Sequence, residues 1–166
     1  TPFEIGGVPG DRELWISTRD TINKAYTSAA VVLVGRTPGA AGTVATMWVI
    51  PGEPVTAVAV PLWVEAGASP DEMWRGDKAP LWLESARLKK LARPFAEGNK
   101  GDYLNLTVLD NAAGTGYLPA LLEAERAILA DTDAFLAQAH TADEYREFQA
   151  RMAARALAAM AAAGER

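Results

Sequence analysis

Residues 28–34 form an uninterrupted apolar run, Ser-Ala-Ala-Val-Val-Leu-Val, which Gly35 closes. A short continuous run rich in β-branched residues predicts a strand that is buried on both faces. Similar runs follow at 43–50 and 55–64, and turns rich in proline and glycine separate the three runs. Three strands joined by short connections predict an antiparallel meander.

Proline and glycine residues indicate where the predicted strands end. The Pro-Gly-Glu-Pro sequence at 51–54 predicts a tight turn, because proline presets φ and glycine tolerates the next corner. Pro61 has no amide hydrogen to donate, so its strand is expected to lie at an edge, to bulge or to stop pairing there. A further short strand is expected at 13–17.

The second half of the chain has helical character. Leucines recur at helical spacing over 80–93, and a second helix is predicted over 117–139. A third begins after Thr141, whose spacing to Glu144 has the form of a capping box. Residues 104–109 fit a strand or a helical turn. The chain is therefore expected to be one α+β domain or subunit.

Composition excludes several classes of site. The chain contains no cysteine, which removes disulfides, thiolate metal sites and a cysteine nucleophile, and its one histidine is His140, near Asp143 but near no serine. Acidic residues number 21 and basic residues 16, a balance that argues against a nucleic-acid partner. No apolar run approaches the roughly 20 residues that span a bilayer. No metal or organic cofactor is implied.

The densest polar cluster, at 17–24, lies between two predicted strands, where binding and catalytic residues are often mounted. Arg19 or Lys24 is suited to hold a substrate carboxylate, and Asn23 is suited to donate a hydrogen bond to an oxyanion. The alternative is a polar loop exposed to solvent. Trp48 and Trp63 are candidate walls of an apolar pocket, and the alternative for them is the core.

The first residue, Thr1, is a second candidate for catalysis. An N-terminal threonine can act as a nucleophile with its own α-amine as the base. Pro2 and the Gly- and Pro-rich residues that follow argue against this role, because such sites usually run into a paired strand. The start at Thr1 suggests either a mature exported chain or a fragment of a longer precursor, and composition does not choose between them.

An ordered series of short motifs extends over about residues 15–95. The motifs are Ile22-Asn23-Lys24, the apolar run after Thr27, Gly35, Thr46-Met47-Trp48, Gly52-Glu53-Pro54, Val60-Pro61-Leu62-Trp63-Val64 and the helix carrying Lys89-Lys90. This order resembles the C-terminal half of bacterial proteins related to acyl-coenzyme A:6-aminopenicillanate acyltransferase. Those proteins are N-terminal nucleophile hydrolases with a four-layer α-β-β-α fold.

The resemblance implies an amide-bond hydrolase or acyltransferase whose nucleophile is usually a cysteine exposed by self-cleavage. This chain has no cysteine, so the expected arrangement is a subunit whose partner chain from the same precursor carries the nucleophile. Arg19, Asn23, Lys24, Trp48 and Trp63 would then contact the substrate. Two alternatives stay open: a self-sufficient hydrolase that uses Thr1, and a nonenzymatic α+β domain that binds a partner.

Overall fold

A computed structural model of the chain describes residues 13–36, 44–94 and 101–164. Within these ranges the chain is α+β, as the sequence predicts, and it contains two small antiparallel sheets and four helices. The strands are β1 (Trp15–Ser17), β2 (Ala30–Val34), β3 (Thr46–Ile50), β4 (Val60–Leu62) and β5 (Tyr103–Asn105). The helices are α1 (Pro80–Ala92), α2 (Leu106–Leu109), α3 (Leu118–Phe135) and α4 (Ala142–Ala162).

The predicted meander is present as the three-stranded sheet β2-β3-β4. Leu33, Met47 and Leu62 stand opposite one another across it, so they share one face. Pro61 lies on β4, an edge strand, which confirms that its missing amide hydrogen excludes it from the centre of a sheet. The strand predicted over 55–64 is shorter than expected, because residues 54–56 form a 3₁₀ turn.

The second sheet pairs β1 with β5, so residues far apart in the chain meet there. The ambiguous stretch 104–109 contains both of the predicted alternatives: β5 ends at Asn105, and the short helix α2 begins at Leu106. The Asn105 side chain accepts a hydrogen bond from the amide of Thr107, which caps the helix at the end of the strand.

The helix predicted over 117–139 ends earlier, at Phe135. The His140 ring packs flat on the Phe135 ring, 3.6 Å between centroids, and His140 Nε2 lies 2.6 Å from the Phe135 carbonyl oxygen. That carbonyl oxygen is therefore bound by a side chain rather than by the next turn of helix. His140 is thus a helix-junction residue with its side chain largely buried.

Helix α4 closes the core against α1, α3 and β4. Its buried face includes the five positions expected from helical spacing: Tyr145, Phe148, Met152, Ala156 and Met160. Trp63 contacts this face, with its ring centroid 5.2 Å from that of Tyr145 and 5.9 Å from that of Phe148. Among the described residues, no helix has both the length and the apolarity to cross a membrane.

The predicted capping box begins α4. Thr141 accepts a hydrogen bond from the Glu144 amide, and the Glu144 carboxylate accepts one from the Thr141 amide at 2.7 Å. The bond from the Thr141 amide is the largest of the effects that lower the pKa of Glu144, followed by the bond from the Thr141 hydroxyl.

Thr141→Ala is expected to lower the free energy of unfolding by about 1 kcal/mol at neutral pH, because one helix-terminal amide loses its acceptor. The Glu144 contribution is present above the ordinary pKa of glutamate and is lost as pH falls through the lowered pKa of the folded state. Urea unfolding at pH 7 and at pH 3 measures both effects, with Ser28→Ala on an exposed loop as the control. An equal stability of Thr141→Ala and the parent at pH 7 would contradict the cap.

Strand β2 departs from its prediction. It was expected to be buried on both faces, but four of its five residues, 31–34, are exposed, with Val32 at 53% and Leu33 at 74%. Successive strand residues point to opposite faces, so side chains on both faces of β2 are exposed. The physical reason is position, because β2 is the sheet edge remote from α4, which packs on β4.

Candidate functional site

The polar cluster predicted to carry the site forms the loop between β1 and β2, at residues 18–29. Arg19 is exposed, and its Nε lies 3.5 Å from a carboxylate oxygen of Asp102. Lys24 Nζ lies 5.7 Å from the centre of the Tyr26 ring. The structure thus places both predicted cations on one loop at the protein surface, where a ligand carboxylate can reach them.

Asn23 lies between the two cations and is half-buried. Its Oδ1 accepts a hydrogen bond from the amide of Val55 at 3.2 Å. The acceptor end of this side chain is therefore occupied, and its amide hydrogens are the end suited to an oxyanion. The same bond ties the loop to the turn that precedes β4.

A buried ionic centre, formed by Glu53, Lys89 and Arg93, lies beneath this loop. The Glu53 side chain is 0% exposed and that of Arg93 is 4% exposed. Arg93 Nη2 lies 2.5 Å from Glu53 Oε1, and Arg93 Nε lies 3.0 Å from Glu53 Oε2. Two hydrogen bonds between a guanidinium and a carboxylate fix the relative orientation of both groups.

The rest of the Arg93 guanidinium binds the loop. Nη2 donates to the Thr18 hydroxyl at 2.8 Å and also to the backbone carbonyl of Asn23, while Nη1 donates to the carbonyl of Gly101 at 3.0 Å. Thr18 is itself buried. The Arg93 side chain therefore joins the first residue and the middle of the candidate loop to the segment that leads into β5.

Lys89 is the third member of the centre and lies on α1, one helical turn before Arg93. Its Nζ donates to the carbonyl of Ala25 and lies 3.9 Å from Glu53 Oε2. Burial lowers the pKa of Lys89; the carboxylate of Glu53 opposes this effect and the positive charge of Arg93 adds to it. Burial likewise raises the pKa of Tyr117, and Glu53 acts in the same direction.

The turn that presents Glu53 depends on Gly52. This glycine has φ of +145°, and a Cβ there would lie 1.8 Å from the Ser85 hydroxyl oxygen. That hydroxyl is held in turn by Thr56, with 2.7 Å between the two oxygens. The tight turn predicted at 51–54 therefore directs the Glu53 carboxylate into the protein only because Gly52 has no side chain.

Gly52→Ala is expected to destabilise the protein by about 1–3 kcal/mol, because the new methyl group forces Ser85 away and strains the backbone. Gly35→Ala is the matched control, since a Cβ there meets nothing within 4 Å and needs no positive φ. Thermal unfolding of the two variants measures the difference. Equal stabilities would show that the turn does not need the glycine.

An apolar groove of about 620 Å³ lies beside the exposed strand β2. Leu33, Val34, Met47 and Trp63 are among the residues that line it. Trp63 is also in the core, and its indole nitrogen donates to the Thr46 hydroxyl at 2.9 Å. Trp63 therefore lies in the core and also borders the groove, and its contact with a substrate stays a prediction.

A second groove, of about 440 Å³, lies at the other end of β2. Ser28 and Ala29 line it with Met73 and Trp82. Trp48, the other predicted pocket wall, is half-buried against the core and is not among the residues that line either groove. The two grooves therefore lie at opposite ends of β2, and the exposed apolar side chains of β2 lie between them.

The remaining candidate, Thr1, lies outside the described residues. Within 13–36, 44–94 and 101–164, no group of three or more histidine and acidic side chains is arranged to hold a metal ion.

Comparison of the chain with protein families, with curated proteins and with solved structures finds no match in any of the three. The family resemblance drawn from the motif order, and the four-layer fold that it implies, therefore remain predictions.

Sequence reasoning missed the buried ionic centre. In the sequence, Glu53 lies in a predicted turn and in one of the family motifs, Lys89 lies in a lysine pair, and Arg93 ends a predicted helix; none of these settings predicts an ion pair. The one available signal was the placement of Glu53 between two apolar strands, where a carboxylate needs a partner if it is buried.

Proposed function

We propose that this chain is a subunit of a processed N-terminal nucleophile amidohydrolase or acyltransferase that acts on a linear amide. The nucleophile would lie on a partner chain from the same precursor. The observation that supports this proposal is strand β2, which among the described strands is an apolar sheet edge with exposed side chains on both faces. A finished sheet edge is normally shortened, charged or covered, and β2 carries no charged or proline residue.

A strand from another polypeptide would complete this edge. Its backbone would pair with the free edge of β2, and its alternate side chains would cover Val32 on one face and Leu33 on the other. The apolar groove beside Leu33 would receive the side chains on that face. A second sheet packed on this one would give the layered arrangement that the family resemblance implies.

Charge favours a different polypeptide over a second copy. Residues 17–36 carry three basic residues and one acidic residue, although acidic residues predominate in the whole chain. Arg19 already pairs with Asp102, whereas Lys24 and Arg36 flank β2 without a carboxylate partner among the described residues. Pairing β2 with its own copy would place like charges at both ends of the strand. The partner strand is therefore expected to have acidic flanks.

The reaction follows from this assembly. The partner's nucleophile would attack the amide carbonyl carbon. The carbonyl oxygen would become negatively charged and would accept a hydrogen bond from the side-chain amide of Asn23. Arg19 or Lys24 would hold a carboxylate elsewhere on the substrate. Collapse of the intermediate would break the C–N bond, release the protonated amine and leave an acyl-enzyme. Water or another amine would then take the acyl group.

Purification of the native assembly tests this proposal, with intact mass and N-terminal sequencing of every chain present. The expected result is a stoichiometric second polypeptide that begins with cysteine, serine or threonine and amidase activity that needs both chains. Activity in this chain alone would favour the Thr1 alternative. A stoichiometric partner with no such N-terminus and no activity would favour the nonenzymatic binding domain.

A further inference from the structure

We propose that the buried ionic centre is a positioning device that holds the loop at 18–29 in its binding conformation. Glu53, Lys89 and Arg93 would act through the loop and would not touch the substrate. The substrate part of this inference rests on the proposed function, whereas the loop-holding part does not.

The contacts concentrate on one short stretch of backbone. Arg93 binds the Asn23 carbonyl and the Thr18 hydroxyl, and Lys89 binds the Ala25 carbonyl. Lys89 and Arg93 are four residues apart, so they lie on one side of the end of α1. The Glu53 carboxylate lies 2.5 Å from Arg93 Nη2 and 3.9 Å from Lys89 Nζ, so the two cations share one negative charge. Every residue that was predicted to contact substrate on this loop lies between the first and last of these contacts.

The loop has no apolar anchor of comparable depth. Its large apolar side chains, Ile22 and Tyr26, are 74% and 75% exposed. Its internal backbone bonds are local, from the Thr21 amide to the Thr18 carbonyl and from the Thr27 amide to the Lys24 carbonyl. Apolar burial therefore does not fix this loop, and the polar contacts beneath it do.

Lys89→Met tests the inference. The substitution keeps an unbranched side chain, removes the donor to the Ala25 carbonyl and leaves the Glu53–Arg93 pair intact. Lys90→Met is the matched control, because Lys90 is the exposed neighbour on the same helix. Hydrogen exchange measures the Thr21 and Thr27 amides of the loop and the amides of α4 as a reference. Lys89→Arg, which restores a charged donor, is the rescue variant.

Exchange at the loop amides is expected to be about tenfold faster in Lys89→Met, unchanged in Lys90→Met and largely restored in Lys89→Arg. The α4 amides are expected to be unchanged. Unaltered loop exchange in Lys89→Met would overturn the inference. Equally faster exchange throughout α4 would also overturn it, because Lys89 would then stabilise the whole fold and not the loop.

A kinetic measurement on the two-chain assembly tests the substrate part, with an N-acylglycine as the probe. Lys89→Met is expected to raise KM about tenfold and also to lower kcat, since the loop carries both the cations that would hold the probe's carboxylate and Asn23, which would donate to the oxyanion. An unchanged KM would overturn the substrate part. If the parent assembly shows no turnover, the proposed function fails, and hydrogen exchange still decides whether the centre holds the loop.

Discussion

Replacing Leu33 by lysine is expected to weaken association with the partner chain by about 100-fold or more. Leu33 is the most exposed residue of β2 and lines the larger groove, so a paired strand would bury it. A buried and unpaired ammonium at the centre of an interface costs several kcal/mol, and each 1.4 kcal/mol is a factor of ten in affinity. Titration of labelled partner chain measures the change.

Leu129→Lys is the control for this experiment. Leu129 is an exposed leucine on α3, so the substitution adds the same charge at a distance from β2. Its affinity for the partner should match that of the parent. Unchanged affinity in Leu33→Lys would place the partner elsewhere on the surface. If the parent chain self-associates and Leu33→Lys abolishes that self-association, the β2 edge pairs with a second copy of this chain instead.

Glu53→Gln is expected to lower the free energy of unfolding by about 3–5 kcal/mol. The substitution leaves the Arg93 guanidinium buried and without its counter-charge, the most costly way to break an ion pair. A loss of this size is a large fraction of the 5–15 kcal/mol typical of a folded domain. Urea unfolding measures it, and a shift in the midpoint without a change in slope would indicate a change in stability.

Asp131→Asn provides the matched control, because it breaks an ion pair with Arg155 whose members are each about half exposed. It should cost less than about 1 kcal/mol. The double variant Glu53→Gln/Arg93→Met is expected to be more stable than the sum of its single changes, since it removes the buried guanidinium that Glu53→Gln alone leaves without a counter-charge. A cost for Glu53→Gln as small as that for Asp131→Asn would contradict the role of the centre.

Local pattern was sufficient to predict much of the fold. The capping box at Thr141 and the buried face of α4 follow from helical spacing and helix-end chemistry, which depend on neighbours in the sequence. Pro61 likewise predicts an edge, a bulge or the end of strand pairing, because it lacks an amide hydrogen in any strand, and the structure has the first of these. The α+β class and the meander follow from such signals.

The features that the sequence does not predict depend on contacts between residues that are far apart in the chain. The apolar composition of 28–34 predicts burial but does not indicate which element provides it, and four of the five residues of β2 are exposed. The pairing of β1 with β5 joins residues almost 90 positions apart, for which no local pattern exists. The ionic centre depends on a distant contact in the same way, since Glu53 and Arg93 are 40 residues apart. Neither residue has neighbours in the sequence that predict an ion pair.

We expect the reactive group of the proposed enzyme to lie on a partner chain that pairs with β2. Acid quenching of the native assembly during turnover of an N-acyl amide, followed by intact mass measurement of each chain, tests it most directly. The acyl mass is predicted on the partner chain and not on this one. An acyl adduct on this chain that Thr1→Ala removes would contradict the claim.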